Sequence, residues 1–464
     1  MGAVFGTAWL QPLIGPSRSI ARIWWRSDMT VTHSRYNQVH VNEWNFLEHF
    51  GALHALLVAR REGNTNNLLK IAPVTVEIDP VDYCNHACEW CFTASHRESD
   101  RMSDDSVRTL VAQLGKMGAK SVHFAGGGEP TLLKHFARLK GRKERGGTEK
   151  DQNTVLDAAE EANLTAGVIS NGSTLRALDL DRLVGQLSWI RFSIDAGTEE
   201  RYRKKHRPKG HTLLDLHSGI EALVQSRGAS PYPTIGASFI FEVVSPEIID
   251  EIKLFARNMA RLKVDYIQIK PENLNRGPDV EALLDSLGPI LAEELTGSST
   301  FAAINQAHPN TDDARYCWYS HIGPVVGATG DVYACCYTYG MPDFKLGNML
   351  DEERGFAGVW NSEKRLAVTS GIDPALCLSC RHASFNRIAD RLYELDKEDW
   401  DWLADALSEI KKGKQAREIV PRPRTHWVVP GLEQYELLQR SARNTITDYP
   451  VYRETQFISA KQGV

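Results

Sequence analysis

The chain lacks the features that mark membrane proteins and proteins that bind nucleic acid. No apolar run approaches the roughly 18 to 20 residues that a membrane-spanning helix needs. The formal net charge is -5, with basic and acidic residues interspersed, so there is no large positive field to hold a phosphate backbone. The first residues also lack the basic segment and the cleavage site of a signal peptide. We therefore expect a cytoplasmic protein that neither spans a membrane nor binds nucleic acid non-specifically.

Cysteine is also scarce, with eight residues in 464, but it is strongly clustered. Cys84, Cys88 and Cys91 fall within eight positions, and the remaining five cysteines lie between residues 317 and 380. Because the cytosol keeps thiols reduced, clustered thiols in a long cytosolic chain indicate metal ligation rather than disulfides. The sequence therefore predicts metal centres.

Strand-like and helix-like segments alternate between residues 73 and 270. Six apolar strand candidates occur there, separated by segments with helical spacing: residues 74–78, 121–126, 165–170, 189–195, 234–242 and 265–271. Such alternation predicts an α/β fold with a parallel sheet and right-handed crossovers. The glycine-rich and polar stretches all follow strands. Because chemistry in barrels collects at the carboxyl ends of the strands, this favours a partial (β/α)6 TIM-like barrel over an open sheet.

The same pattern divides the chain into four predicted segments. They are an N-terminal extension, partly irregular, over residues 1–72, the barrel over 73–300, a small domain over 310–385, and a helical tail over 386–464. The small domain contains a predicted β-hairpin whose turn includes Gly327 and Gly330. The tail is predicted to be helical because residues 396–413 begin with acidic side chains and end in lysines and a glycine.

The front cysteine loop offers three thiolates where a structural metal site would need four ligands. Soft thiolates select zinc, copper or iron-sulfur clusters. His86 as a fourth ligand would give a Cys3His zinc site, which is the alternative interpretation. Three thiolates around a [4Fe-4S] cluster leave one iron without a protein ligand, and an open position is what a catalytic metal requires. We favour the cluster.

The loop also resembles a known family signature. Cys84-x3-Cys88-x2-Cys91, with Trp90 before the third cysteine and a strand before the loop, is similar to the motif of the radical S-adenosylmethionine (SAM) enzymes. The resemblance implies that the open iron binds SAM and that Trp90 contacts the cofactor. It also implies cleavage of SAM to methionine and a 5'-deoxyadenosyl radical, with an electron from a reductant such as flavodoxin or ferredoxin.

Three further stretches match the family at the ends of the second, third and fourth strands. The resemblance places SAM contacts there: Gly127, Gly128, Glu129, Ser170, Asn171, Ser193 and Asp195. Glycine lets the backbone approach a ligand closely, and a carboxylate suits the ammonium group of SAM. For the polar residues at strand ends, helix capping is the alternative. The family's arginine that pairs with the SAM carboxylate has three candidates here, Arg201, Arg203 and Arg207, and stays unassigned.

The late cysteines resemble the twitch domain, a shortened relative of the SPASM domain of many radical SAM enzymes. The resemblance implies a second, auxiliary [4Fe-4S] cluster held by Cys317, Cys335, Cys377 and Cys380. Structural zinc is the alternative for four thiolates in two pairs. Adjacent strand residues point to opposite faces, so Cys336 would point away from the cluster. We interpret Cys336 as a small buried hydrophobe, with a role as hydrogen-atom donor as the alternative.

The resemblance implies an enzyme of oxidoreductase or isomerase type. Glu242, Lys270 and Glu272, at the ends of the fifth and sixth strands, are predicted substrate contacts, with surface ion pairs as the alternative. The expected substrate is a small polar molecule such as a sugar, an aminoglycoside or a nucleotide-like compound. The expected outcome is dehydrogenation, epimerisation or rearrangement.

Two other functions stay open. The chain could be a maturase that modifies a ribosomal peptide or a protein side chain. From another class, it could be a non-catalytic iron-sulfur or zinc regulator. The regulator would leave the glycine-rich motif "GGGEP" and the six strand candidates unexplained.

Overall fold

The computed structural model describes most of the chain between residues 46 and 396, and two short strands near its end. The described residues are 46–91, 93–94, 100–140, 153–272, 278–304, 315–377, 380, 382–396, 398, 401, 405, 450–453 and 456–459. No helix within these ranges is both long enough and apolar enough to cross a membrane.

Strands and helices alternate through the first part of the described chain. The strands are β1 (Thr75–Ile78), β2 (Ser121–Phe124), β3 (Thr165–Ser170), β4 (Leu187–Ser193), β5 (Thr234–Phe241), β6 (Tyr266–Pro271), β7 (Phe301–Ile304), β8 (Val325–Val326), β9 (Asp331–Tyr333), β10 (Lys345–Asn348), β11 (Pro450–Arg453) and β12 (Gln456–Ser459). The helices are α1 (Phe46–Arg61), α2 (Thr65–Leu69), α3 (Asp104–Met117), α4 (Val155–Glu161), α5 (Leu180–Gln186), α6 (Glu199–His206), α7 (Leu213–Arg227), α8 (Pro246–Leu262), α9 (Pro278–Glu294), α10 (Phe356–Trp360), α11 (Glu363–Ser370) and α12 (Ala383–Tyr393).

The predicted α/β barrel is confirmed. All six predicted strands form, and β1 to β7 pair in chain order, each parallel to the next. The seventh parallel strand, β7, was not predicted. Parallel strands that follow one another through helices form a partial barrel with the helices on its outer face.

The two faces of this sheet differ in chemistry because side chains alternate along each strand. One face is apolar and belongs to the same core as the helices: Val76, Ile78, Val122, Phe124, Val168, Ile190, Phe192, Ile235, Ala237, Phe239, Ile267 and Ile269. The other face, which we call the lumen face, carries Glu77, His123, Trp189, Arg191, Ser193, Ser238, Gln268 and Lys270. The barrel therefore encloses polar and charged side chains.

A hairpin of the small domain extends the barrel sheet. β8 and β9 pair antiparallel around the turn that contains Gly327 and Gly330, as predicted. The φ of Gly330 is 82°, which glycine adopts without strain. β8 also pairs parallel with β1, so the sheet runs in the order β10-β9-β8-β1 and then through the barrel. This continuity was not predicted.

A second core joins the N-terminal helices to the small domain. It contains Leu53, Leu56 and Leu57 from α1, together with Trp318 and Phe385. The predicted extension over residues 1–72 therefore has regular structure from residue 46 onward, and its first 45 residues lie outside the described part. The described helices α1 and α2 support the small domain rather than forming a separate module.

The predicted helical tail is described only in part. α12 is helical, but most of the predicted helix over residues 396–413 lies outside the described residues. Residues 450–459 form β11 and β12, which pair antiparallel, and β11 pairs parallel with β7. The helical prediction is therefore wrong for these residues: "PVYR" and "QFIS" carry β-branched and aromatic residues, which suit a strand at the edge of a sheet.

Candidate active site

The cysteine loop lies at the carboxyl end of β1 and is fixed by the end of α6. The backbone N–H of Ala87 donates to the carbonyl of His206 at 3.0 Å, and that of Glu89 donates to the carbonyl of Lys205 at 2.9 Å. α6 was not predicted, because "EERYRKKH" carries charges around most of its circumference and gives no apolar stripe. The loop is therefore held by a helix from the far side of the barrel.

Two of the three front thiols contact polar groups, and at Cys84 these are donors that suit a thiolate. The sulfur of Cys84 lies 3.4 Å from the backbone N–H of His86 and 3.7 Å from the amide nitrogen of Asn171. The sulfur of Cys91 lies 3.2 Å from the hydroxyl oxygen of Thr93, which donates its proton to the carbonyl of Gly127 at 3.0 Å. Both thiols are free of disulfides. Because donors that point at sulfur stabilise the thiolate form, this set fits a metal cluster.

The third thiol belongs to a buried chain of polar groups. Nδ1 of His206 lies 3.3 Å from the sulfur of Cys88, and Nε2 lies 3.1 Å from a carboxylate oxygen of Asp195. His206 is 1% exposed. Burial lowers the pKa of His206, but Asp195 and Cys88 raise it by more, so the pKa is about 10. Sequence reasoning missed this histidine because 118 positions separate it from Cys88.

Asp195 has a structural use besides its predicted contact with the cofactor. One carboxylate oxygen accepts the backbone N–H of Ile240 at 2.8 Å, and the other faces His206. Its φ is 53°, a left-handed conformation that aspartate tolerates better than most residues. Ser193, two residues earlier, pairs with β5 through its backbone, and its side chain forms no hydrogen bond within the described part of the chain. Both SAM contacts stay predictions, and of the two side chains that of Ser193 is the more available.

The glycine motif packs directly against the cysteine loop. A Cβ at Gly127 would lie 2.3 Å from a carboxylate oxygen of Asp82, and a Cβ at Gly128 would lie 2.0 Å from the carbonyl oxygen of Tyr83. No side chain fits at Gly128, where the clash is with backbone, whereas a side chain at Gly127 would require the Asp82 carboxylate to shift. The absence of side chains therefore brings the end of β2 against the loop that carries the front thiols, beside the place where the resemblance puts the cofactor.

Glu129 ties the ends of β2 and β3 together. Its carboxylate accepts the hydroxyl of Ser170 at 2.8 Å, the backbone N–H of Asn171 at 2.7 Å, and the backbone N–H and hydroxyl of Thr131. Burial raises the pKa of Glu129, and these hydrogen bonds offset part of the increase. Three predicted SAM-contacting residues thus form one network, and their direct contact with SAM stays a prediction.

A group of charged residues lies beside Trp90 at the mouth of the barrel. The carboxylate of Glu242 pairs with Lys205 at 2.5 Å and with Arg201 at 3.1 Å. Burial raises the pKa of Glu242, but hydrogen bonds from these two cations outweigh it and lower the pKa below its usual value. The Lys205 ammonium also lies 4.9 Å from the centre of the Trp90 ring. The ion pairs that the sequence left as the alternative for Glu242 are therefore present.

The other predicted substrate contacts differ in exposure. Lys270 is half-buried in β6 on the lumen face, whereas Glu272 is exposed just beyond the end of β6. Lys270 is thus the better placed of the two, and both assignments stay predictions.

The late thiols form a second group. Burial raises the pKa of Cys335 to about 12, and the neighbouring Cys317 and Cys377 contribute to the increase. Burial also raises the pKa of Cys380, with contributions from Cys317, Cys335 and Cys377. The four predicted ligands therefore lie close together, a donor set that fits a closed cluster. Cys335 and Cys336 both lie in the turn after β9 rather than on a strand, so the predicted strand alternation does not separate them, and the choice of Cys335 as the ligand stays a prediction.

The group of possible metal ligands at the front loop differs from the Cys3His set that the zinc alternative predicts. Ligand atoms of His86, Cys88 and His206 lie within 4.8 Å of one another. This group contains one thiol and two histidines, not three thiols and one histidine. A zinc ion held there would leave Cys84 and Cys91 without a role.

Two family profiles match the chain. Residues 78–255 match the Radical SAM superfamily, and residues 317–382 match SPASM, described as an iron-sulfur cluster-binding domain. A curated relative, the S-adenosylmethionine-dependent nucleotide dehydratase of Lacinutrix mariniflava, is 26% identical over 123 residues. That alignment covers 25% of this chain and 22% of the relative, so the chain spans about a fifth of the relative's length.

Solved structures share the fold. Streptococcus suis SuiB bound to its precursor peptide SuiA has a TM-score of 0.51 and 12% identity, covering 79% of this chain and 81% of that one. SuiB bound to S-adenosylmethionine has a TM-score of 0.49 and 14% identity, covering 69% and 74%. At such low identity the likeness extends to the fold alone.

Proposed function

The chain carries a radical SAM domain followed by an iron-sulfur cluster-binding domain of SPASM type, and from this premise we propose that it abstracts a hydrogen atom from a small polar substrate. The two domains imply SAM, a [4Fe-4S] cluster that binds it, and auxiliary iron-sulfur chemistry. The observation that carries the proposal is the meeting of the three front thiols with the Glu129 network at one edge of the barrel. Dehydrogenation, epimerisation or rearrangement would follow from the radical.

The front residues fit the cluster by their chemistry. Cys84, Cys88 and Cys91 would hold it, while Asn171 and His206 contact two of the sulfurs. When bound, the cluster supplies the electron that cleaves SAM to methionine and a 5'-deoxyadenosyl radical. These contacts to sulfur orient the ligands and stabilise their thiolate form.

The barrel supplies the binding site for the substrate. Its lumen face is polar and largely buried, which suits a small hydrophilic molecule held away from water. The Glu129 network fixes the rim, and Ser193 at the end of β4 offers a hydroxyl toward the cofactor or substrate. A long peptide would instead have to enter as an extended segment, so we place the peptide maturase second.

Cys317, Cys335, Cys377 and Cys380 would hold an auxiliary cluster with all of its irons ligated by protein. Their burial and mutual proximity support a closed site without an open coordination position. An electron path from the substrate radical and a purely structural role are both compatible with this arrangement.

The test is reductive cleavage of SAM by the anaerobically reconstituted protein. We expect 5'-deoxyadenosine after reduction with dithionite, and about eight irons per chain, four for each cluster. Cys88→Ala serves as the control that should produce none. A wild-type protein that carries the full iron content yet never releases 5'-deoxyadenosine would support the regulator, and about four irons would remove the auxiliary cluster.

The substrate class is tested with deuterium. The enzyme is incubated in parallel with deuterated small polar metabolites and with deuterated peptides, and 5'-deoxyadenosine is analysed by mass spectrometry. Deuterium acquired from the small molecules supports the proposal. Deuterium acquired only from peptides would establish the maturase instead.

A further inference from the structure

Arg191 is a buried cation in the middle of the barrel. It lies in β4 between Ile190 and Phe192, whose side chains belong to the apolar core, so its own side chain is on the lumen face. Arg191 is 8% exposed. A guanidinium stays charged at any ordinary pH, so this position carries a fixed positive charge inside the lumen.

The side chain of Arg191 spans the concave side of the sheet. Its Nη1 donates to the side-chain oxygen of Gln268 at 2.8 Å, and Gln268 is on β6, two strands away. Between them, β5 presents Gly236 directly opposite Arg191 in the register. A Cβ at Gly236 would lie 2.1 Å from the ring of Tyr266, so that ring lies across the glycine. The hydrogen bond between Arg191 and Gln268 therefore passes over β5 on the lumen side, next to the Tyr266 ring.

No carboxylate neutralises this charge among the residues that the structure describes. The side chain of Arg191 forms one hydrogen bond to these residues, to a neutral amide, and its Nε is buried without a partner. By contrast, the buried ammonium of Lys205 contacts two carboxylates, those of Glu89 and Glu242. A buried guanidinium with unused donors is costly unless a counter-charge arrives.

The acidic residues that follow β4 and β5 face basic groups: Asp195 faces His206, and Glu242 pairs with Arg201 and Lys205. Glu77 pairs with His123 at 2.7 Å. Asp79, just beyond β1, packs on Gly126, where a Cβ would lie 1.6 Å from its carboxyl carbon. Within β4, β5 and β6 themselves, the charged side chains of the lumen face are those of Arg191 and Lys270, and both are cations.

Other donors surround the guanidinium. Ser193, Ser238 and Gln268 are partners in the register across β4, β5 and β6. Lys270 is the next lumen-face residue of β6 in the direction of the mouth. Hydroxyl, amide and ammonium groups therefore lie on the three strands nearest to Arg191.

We propose that Arg191 and Gln268, with Lys270 at the rim, form a subsite for an oxyanion of the substrate, either a phosphate ester or a carboxylate. The inference deepens the proposed function by adding an anionic group to the small polar substrate, and it rests on that function. The fork of donors on arginine suits the two oxygens of either group. Arg191 precedes Ser193 by two residues, or about 7 Å along the strand. An anion held there would leave the rest of a small substrate near the rim that carries the front thiols.

Titration calorimetry tests the subsite directly. The holoenzyme, with clusters and SAM bound but not reduced, is titrated with inorganic phosphate, inorganic pyrophosphate and succinate. We expect at least one probe to bind, and Arg191→Met to weaken that binding about tenfold or more. Arg257→Met is the matched control, because Arg257 is exposed and pairs with Glu294 on the outside of the barrel. Preference for the phosphates over succinate identifies a phosphate ester, and the reverse identifies a carboxylate.

A second variant covers the case in which Arg191→Met fails to fold. Gln268→Glu places a carboxylate where Arg191 already has its contact, and should yield a folded protein that no longer binds the probe. Wild-type protein that binds none of the three probes would overturn the subsite. So would Arg191→Met or Gln268→Glu with unchanged affinity.

The outcome is separable from that of the proposed function. Anion binding is measured without reduction, whereas SAM cleavage is measured without an anion. If the anion binds in an Arg191-dependent way but 5'-deoxyadenosine never forms, the subsite stands and the proposed function fails. If 5'-deoxyadenosine forms and the variants do not alter anion binding, the subsite fails alone.

Discussion

The two cysteine sites are built in opposite ways. The thiols of the front site, Cys84, Cys88 and Cys91, are only half-buried and are contacted by polar groups from β3, α6 and their own loop. Of the late thiols, Cys317 and Cys380 are buried, and Cys335 packs against the second apolar core. An open, polar site can admit a cofactor and a substrate, whereas a closed, apolar one suits a group that the polypeptide ligates completely.

Two buried histidines make the same contrast. His206 beside the front site faces Asp195 and Cys88, which raise its pKa. Burial lowers the pKa of His321 in the small domain, and the neighbouring cations Arg365 and Arg60 lower it further, to about 3. The front of the molecule thus stabilises a protonated histidine, and the small domain a neutral one.

The largest effect is expected from a variant that disrupts the front site alone. Cys88→Ala should abolish formation of 5'-deoxyadenosine and remove about four irons per chain, because two thiolates cannot hold the cluster. Iron analysis and anaerobic activity assays measure both. Retention of SAM cleavage by this variant would mean that the front loop is not the catalytic site.

The second largest effect comes from removing a thiol of the late site. Cys335→Ala should remove about four irons and leave the front cluster in place, whereas Cys336→Ala should keep both. Cys336 is the matched control because it is the adjacent cysteine and is not one of the four predicted ligands. Loss of iron in Cys336→Ala with none in Cys335→Ala would reverse our ligand assignment.

A smaller effect concerns the positioning role of His206. His206→Gln should shift the midpoint potential of the front cluster and lower SAM cleavage about 10- to 100-fold, as expected when a partner of a metal ligand is lost. Potentiometric titration followed by electron paramagnetic resonance measures the shift. His217→Gln, at another buried histidine of the barrel, controls for general destabilisation. Equal midpoint potentials in wild type and His206→Gln would mean that His206 contributes only packing and does not tune the cluster.

The smallest effect is a pH dependence in the small domain. The pKa of folded His321 is about 3, while in the unfolded chain it is about 6.5. Below about pH 6.5 the unfolded state therefore takes up a proton that the folded state does not, and stability falls as the pH falls.

Between pH 7.5 and pH 5.5 this site should cost about 1.4 kcal/mol of unfolding free energy. Anaerobic urea denaturation of the holoprotein at the two pH values measures the loss. His321→Gln should lose about 1.4 kcal/mol less over the same interval, since both proteins share every other titrating group. Parallel losses would show that His321 is already protonated in the folded protein, despite the burial and the cations Arg60 and Arg365 that face it along with Tyr316.

Much of the barrel could be read from the sequence because its strands are short apolar runs followed by glycine or polar residues. The two cysteine motifs could also be identified from the sequence, because their spacing alone is characteristic. α6 was missed because residues 199–206 have no apolar stripe. Arg191 carried a readable signal, a charge in the centre of an apolar strand, but nothing local reveals that its counter-charge is absent. His206 and the pairing of β8 with β1 depend on contacts between distant segments.

The pairing of β8 with β1 has a consequence for the spacing between the front and late thiols. The backbone N–H of Asp79, at the start of the loop toward the front thiols, donates to the carbonyl of Val326 at 2.8 Å. From Val326 the hairpin runs on to Cys335 within one continuous sheet. Among the residues that the structure describes, backbone hydrogen bonds thus join the strand before the front loop to the hairpin before Cys335, and we expect strand register to fix the spacing between the two groups of thiols.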